Sequence, residues 1–165
     1  MYLPLLFDVM DKLNAVHQEL LQLAGEKRQV IVRNEIDQLM QIVAKESKLL
    51  KQVTELDRQR IDAIGKYMLE KGFRPNPNVT VSDLMKIIFK AEEKKPLQEA
   101  HDQLLQTINE LRAINALNQT LIEQSLAFIQ YSMDLVLGPD EEAVYHNPQQ
   151  QNTYGKRNGI FDTRA

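Results

Sequence analysis

Apolar residues recur at spacings of three and four between residues 96 and 137, a stretch without Gly and with Pro only at its first position. This spacing is that of a heptad seam, and polar residues take several positions in its second half. The seam consists of Leu104, Ile108, Leu111, Asn115, Asn118, Ile122, Ser125, Ile129, Ser132 and Val136. Pro96 suits a first helical turn, and Gly138 followed by Pro139 ends a helix. We therefore predict one continuous helix about 60 Å long, which must lie along other long helices.

The apolar surface of this helix widens toward its C-terminal half. The apolar residues there are Leu121, Ile122, Leu126, Phe128, Ile129, Tyr131, Met133, Leu135 and Val136. They occupy more than one face of a helix, whereas a helix packed on a single neighbour shows one apolar stripe. One partner helix cannot cover all of them.

A first helix is predicted near the N-terminus, where Pro4 sets the first turn. Its seam is apolar except at one lysine and consists of Leu6, Val9, Leu13, Val16, Leu20, Leu23, Lys27 and Val30. Gly25 costs roughly 1 kcal/mol of helix stability relative to Ala. We expect the helix to run through Gly25 or to bend slightly there.

A second helix is predicted to start with Asn34 as its cap, to run to about Lys71 and to end at Gly72. Its apolar seam is assigned to Ile36, Leu39, Val43, Leu50, Val53, Ile64 and Tyr67, with Glu46, Asp57 and Arg60 interrupting it. The short connection to the first helix allows a tight antiparallel turn or a bend in one longer helix that exchanges between chains. The antiparallel turn is the preferred interpretation.

Two prolines make residues 73–78 a loop. Thr80 or Ser82 can cap a short amphipathic helix that plugs one end of the bundle and bears Leu84, Ile87, Ile88 and Phe89. After Gly138 the periodicity stops and polar residues dominate, which is typical of a flexible tail. The predicted fold is all-α, an elongated antiparallel helical bundle or coiled coil of three long helices and one short helix. Residues 1–137 form the helical domain, and residues 138–165 form the flexible C-terminal tail.

Composition narrows the class of protein. The chain has 165 residues, of which 43% are hydrophobic and 26% charged, which suits one continuous core with a soluble surface. The net charge of −3, with basic residues scattered among acidic ones, argues against nucleic-acid binding. There is no cysteine, so disulfides and thiolate metal sites are excluded. The apolar N-terminal stretch lacks a basic leader and no run approaches transmembrane length, so a cytoplasmic protein without a membrane span is expected.

Catalytic chemistry finds little support in the sequence. His17, His101 and His146 have no second ligand at the spacing that helical metal sites use. No glycine loop for phosphate follows a strand, and no serine has the context of a nucleophile. We expect neither an enzyme nor a cofactor. Asn115 and Asn118 lie three apart on the long seam, so they are either buried residues that fix register or contacts for a partner.

Three stretches together resemble the FlgN flagellar export chaperones. They are KESKLLKQVTELDRQR at residues 45–60, LRAINALNQTLIEQSL at residues 111–126, and TYG at residues 153–155. The resemblance covers nearly the whole chain in order and spacing. The first stretch is a generic heptad pattern, so the second and third carry the more specific part of the match.

The resemblance implies a small cytosolic protein without catalytic activity. It implies binding of the hook–filament junction proteins FlgK and FlgL before secretion, and delivery to the export gate protein FlhA. Client-binding residues would be Asn115, Asn118, Leu121, Ile122, Ser125, Phe128, Ile129 and Met133. Tyr154 and Gly155 would dock at the export gate. The alternative is a structural coiled-coil adaptor that forms a homo-oligomer through the long C-terminal helix.

Overall fold

The fold was analysed on a computed structural model, which describes residues 2–138. Four helices follow one another in this part of the chain: α1 (Leu3–Val32), α2 (Ile36–Glu70), α3 (Val81–Ile87) and α4 (Ala91–Leu137). Residues 2–138 contain no strand, so the all-helical prediction is confirmed. The predicted tail, with His146, Tyr154 and Gly155, lies outside the described residues.

The chain divides into two compact units, residues 1–123 and residues 124–165. The helix α4 begins in the first unit, and its last turns belong to the second. Of the second unit, residues 124–138 are described. The division of the chain into a domain of residues 1–137 and a tail stays a prediction.

In the first unit, α1 and α2 pack side by side in opposite directions. Leu6 near the start of α1 shares a cluster with Tyr67 near the end of α2, while Lys27 contacts Glu46 toward the turn. The seam predicted for α1 is confirmed, because its eight positions are buried or half-buried and the helix runs unbroken through Gly25. The preferred antiparallel turn is thus the one observed.

The predicted cap of α2 is wrong. Asn34 lies in the turn with a positive φ of 56°, and Glu35 takes the N-cap position without a side-chain cap hydrogen bond. Asn tolerates this left-handed backbone better than most residues, which explains its place in so short a turn. The backbone N–H of Glu35 donates to the carbonyl of Val30 and closes the end of α1.

The seam of α2 is partly wrong as well. Ile36, Val43 and Leu50 were assigned to it but are exposed. The buried positions of α2 are Ile42, Leu49, Ala63, Ile64, Tyr67 and Met68. Two apolar series recur every seven residues on this helix, and the sequence pattern does not show which of them meets a neighbouring helix.

The main hydrophobic cluster joins the start of α1, the end of α2, the whole of α3 and the first turns of α4. Its fully buried members include Leu6, Ile64, Leu84 and Leu97. Thr80 is the N-cap of α3, so of the two predicted caps, Thr80 and Ser82, the first is correct. Its hydroxyl accepts a hydrogen bond from the N–H of Asp83, whose carboxylate accepts one from the N–H of Thr80, a capping box.

The helix α4 starts earlier than predicted, at Ala91, so Pro96 lies inside it rather than in the first turn. Pro96 removes one i to i−4 hydrogen bond, to the carbonyl of Glu92. The first turn carries Glu92 and Glu93, whose charge stabilises the positive end of the helix dipole. The carbonyl of Lys90 accepts from the N–H groups of Glu93 and Lys94 and closes the added turn.

Candidate functional site

Within the first unit, α4 has one apolar and two polar side chains that are buried, and both polar ones bond to α1. Leu97, Thr107 and Asn118 are the buried residues of α4. The Thr107 hydroxyl donates to Oδ1 of Asn14 at 3.0 Å, and Nδ2 of Asn118 donates to the carbonyl of Ala24 at 2.9 Å. Hydrogen bonds of fixed geometry set the register of a helix more strictly than apolar contact does.

The two asparagines of the predicted site have different surroundings. Asn118 is 2% exposed, and its Oδ1 has no hydrogen-bond partner among the described residues. A buried polar atom left unpaired costs free energy, so the bond to Ala24 fixes register at some loss of stability. Asn115 is exposed, one turn earlier on the same helix. Asn118 therefore has the position of a register residue, whereas Asn115 faces solvent.

A pocket of about 280 Å³ opens between α4 and the pair α1 and α2. It is lined by Leu20, Lys27, Glu46, Leu50, Leu111, Asn115, Asn118, Gln119 and Ile122. The Nζ of Lys27 lies 3.0 Å from Oε2 of Glu46, and both side chains are more than four-fifths buried. This first pocket gathers Asn115, Asn118 and Ile122 of the predicted client site.

Three other residues of that predicted site meet in the second unit. Phe128, Ile129 and Met133 line a pocket of about 420 Å³ together with Ser132, Val136 and Leu137. No charged residue lines it. Several side chains of this helical segment are largely exposed: Phe128 at 69% and Val136 at 82%. Leu121 and Ser125 are half-buried and line neither pocket.

A third apolar surface was missed by sequence reasoning. Ile36, Met40, Val43 and Leu50 on α2 are each between 43% and 67% exposed. They recur at steps of four, three and seven, so they lie on one face of the helix, which we name the α2 stripe. The heptad spacing of this series was visible in the sequence, but it was merged with the buried seam, and Met40 was left out.

Titratable groups form no catalytic set in the described residues. No group of three or more His, Asp or Glu side chains among residues 2–138 could hold a metal ion. His17 Nδ1 lies 2.7 Å from the carbonyl of Leu13 on its own helix, and His101 lies against Asp102. None of the four helices is long and apolar enough to cross a membrane.

Exposed apolar helix faces of this kind are typical of helical proteins that bind other proteins. The family model described as FlgN protein matches residues 1–157. The chain belongs to the FlgN family, whose members are chaperones of flagellar export.

A curated relative is the uncharacterized protein YvyG of Bacillus subtilis (strain 168). It is 22% identical over 161 residues, which cover 97% of each chain. The match therefore runs over nearly the full length of both proteins. No solved structure matches this chain.

Proposed function

We propose that this protein is a cytosolic flagellar export chaperone that binds FlgK and FlgL before secretion and delivers them to the export gate. The observation that carries the proposal is the apolar surface of residues 124–137, defined by Leu126, Phe128, Ile129, Met133 and Val136. Its side chains are mostly exposed, and a surface of this kind on a soluble protein usually marks a binding site for a partner.

The chemistry of this surface suits an apolar helix of the client. Phe128 and Met133 supply large and adaptable apolar contacts, and the pocket they line has room for side chains of a docked helix. Apolar residues such as Leu126 and Leu135 lie outside this pocket and are exposed as well. A client that wraps more than one face of the segment would bury them too.

The test is calorimetric titration of the purified protein with purified FlgK and FlgL. Phe128→Ala and Ile129→Asp should each weaken binding about tenfold or more, as substitutions of interface anchors do. Because both side chains are exposed, neither change disturbs the core, and circular dichroism checks that helicity is kept. Lys45→Ala, an exposed charge on α2, is the matched control and should leave the affinity unchanged. Unaltered affinity in both folded variants would place the client site elsewhere.

We further propose that Tyr154 and Gly155 dock at the export gate protein FlhA. Tyr154 stands beside Lys156 and Arg157 in a stretch with few apolar residues. One tyrosine can bury a large area with few rotatable bonds, so it can dominate a weak contact. Tyr154→Ala should reduce association with FlhA and secretion of the client while client affinity stays unchanged. Loss of client binding, or full secretion by the variant, would contradict a separate docking motif.

The oligomeric state of the free protein distinguishes a structural adaptor from a chaperone. A structural adaptor would use the exposed surface of residues 124–137 for contact between copies. Light scattering after size-exclusion chromatography should then show a stable homo-oligomer that Ile129→Asp dissociates. The chaperone proposal expects this surface to be available in the free protein.

A further inference from the structure

A groove of about 620 Å³ runs between α1 and α2 in the first unit. Within residues 2–138 its lining comes from these two helices alone, and neither α3 nor α4 contributes to it. The lining residues are Lys12, Ala15, Val16, Lys48, Lys51, Gln52, Glu55 and Leu56. We name it the basic groove, because three of these four charged residues are lysines.

The basic groove lies on the face of the α1 and α2 pair that points away from α4. Asn14 bonds to Thr107 of α4, and Lys12 of the groove lies two residues earlier, ~160° away around α1. Leu50 lines the first pocket beside α4, and Lys48 of the groove again lies two residues earlier, at the same angle on α2. Two packed helices offer a further helix one groove on each side, and α4 takes one of them.

The lining of the basic groove suits an amphipathic helix. Val16 is buried, Leu56 is half-buried and Ala15 is exposed, so the lining is apolar from the core side outward. Lysine side chains lay their aliphatic stems along such a surface and keep the ammonium group in water. A docked helix would therefore make apolar contacts along its centre and meet ammonium groups along its edges.

Charge specifies the edges of that helix. Lys48 and Lys51 are exposed and form no ion pair with a carboxylate of residues 2–138. Lys12 lies 2.6 Å from Asp8, but both side chains are more than half exposed, and ion pairs of this kind are weak. Among the described lining residues, Glu55 is the one carboxylate. Three ammonium groups against one carboxylate favour acidic residues on the partner.

A second copy of this chain is a poorer occupant. Its exposed apolar helical segment, residues 124–137, carries Asp134 as its only charged residue. One carboxylate does not complement three lysines. The groove instead requires several acidic residues beside a short apolar seam.

We propose that the basic groove docks an amphipathic helix of a partner protein, with a short apolar seam and acidic residues on both edges. This site goes beyond the proposed function. It shares no residue with the client surface of residues 124–137 or with the first pocket, so failure of one proposal leaves the other standing.

The test uses two fluorescein-labelled synthetic peptides of about four helical turns, ~14 residues, with Leu at heptad positions. One peptide carries Glu at the edge positions and the other carries Gln, and binding to the full chain is followed by fluorescence anisotropy. The Glu peptide should bind about tenfold tighter than the Gln peptide. The double change K48E with K51E should remove this preference. K94E with K95E, the same change of charge on two exposed lysines of α4, should keep it.

A second set of variants locates the site. Ala15→Glu places a carboxylate in the groove and should lower affinity for the Glu peptide about tenfold. Ala113→Glu, the same change at an exposed alanine of α4, should leave the affinity unchanged, and so should Ile129→Asp on the client surface. All of these positions are exposed, so the fold should be kept, which circular dichroism checks.

Three results would overturn the proposal: equal binding of the two peptides, the same loss of preference in K94E with K95E as in K48E with K51E, or full affinity of Ala15→Glu. A homodimer that Ala15→Glu dissociates would overturn it in favour of a second copy.

Discussion

The helices α1 and α4 carry seams of the same kind, and the chain covers them to different extents. Ten residues of α1 are buried over 30 positions, whereas α4 buries three over 47. Leu97 at the start of α4 is 0% exposed and Val136 near its end is 82% exposed. Apolar pattern therefore predicts a helix equally well in both regions, but burial depends on whether another helix is there to receive it. The exposed part of α4 is the surface that we propose for the client.

The largest effect that tests this comparison comes from matched truncations on α4. Leu97→Ala should lower the free energy of unfolding by ~2–5 kcal/mol, because it opens a cavity in the main cluster. Leu135→Ala, on the same helix but exposed, should change it by less than ~0.5 kcal/mol. Urea denaturation followed by circular dichroism measures both. Similar losses at the two positions would show that residues 124–137 are covered within the free chain.

Loss of the hydrogen bond from Asn118 on α4 to the carbonyl of Ala24 on α1 should lower the free energy of unfolding by nearly as much. Asn118→Asp replaces the buried donor to the carbonyl of Ala24 by a carboxylate, which should cost ~2–4 kcal/mol at neutral pH. Asn109→Asp, an exposed asparagine on the same helix, is the control and should have little effect. Equal urea midpoints for the two variants would rule out Asn118 as the register contact.

A smaller effect is expected at α3, which packs in the same cluster as Leu97. Thr80→Ala removes the capping box and should cost ~1 kcal/mol. Thr120→Ala is a control, because Thr120 lies exposed within α4 and only bonds back to the carbonyl of Ala116. If Thr80→Ala shifts the urea midpoint no more than Thr120→Ala does, the capping box does not stabilise the cluster that contains α3 and Leu97.

The capping box also predicts a pH dependence. Hydrogen bonds from Thr80, and next from Lys86, hold the pKa of Asp83 at about 2, below its usual 3.8. Since the folded pKa is depressed, this stabilisation is complete above about pH 4 and is lost as the pH falls through about 2. Carboxyl NMR titration should show the low midpoint, and Thr80→Ala should raise it. An unaltered midpoint in the variant would exclude Thr80 as the main cause.

The smallest effect is expected on α1, beside the residue that accepts the bond from Asn118. A Cβ added at Gly25 would meet no atom within 4 Å, so Gly25→Ala should stabilise the protein by ~0.4–1 kcal/mol. Gly72→Ala, at a positive φ of 80°, should destabilise it instead. A loss of stability on Gly25→Ala would mean that α4 lies closer to α1 than the structure shows.

The sequence predicted α1 well because its seam is apolar at every position except Lys27. It predicted α2 less well, because Ile36, Val43 and Leu50 form a second heptad series beside the buried one. The start of α4 was missed because Pro usually marks a first turn. Here the helix begins five residues before Pro96, at Ala91, with an acidic first turn. Local rules describe each helix, but the choice of buried face is made by its neighbours.

The sequence predicted the apolar character of the candidate site but not how its residues are grouped. The excess of apolar residues between Leu121 and Val136 was visible in the sequence, and the structure shows that most of those beyond residue 123 are exposed. Its residues were predicted as one site, but the structure gathers Asn115, Asn118 and Ile122 in one pocket and Phe128, Ile129 and Met133 in another. Periodicity gives the face on which a residue lies and leaves open which part of the chain covers it.

The proposal that residues 124–137 receive the client is tested most directly by hydrogen–deuterium exchange of the full chain with and without FlgK. Docking of a client helix should slow exchange of the amides of residues 124–137, while those of the buried α1 segment, residues 6–20, should not change. Peptide-resolved mass spectrometry measures both segments in one experiment. Slower exchange in residues 124–137 on addition of FlgK is the predicted result, and unchanged exchange there at saturating FlgK would contradict the account.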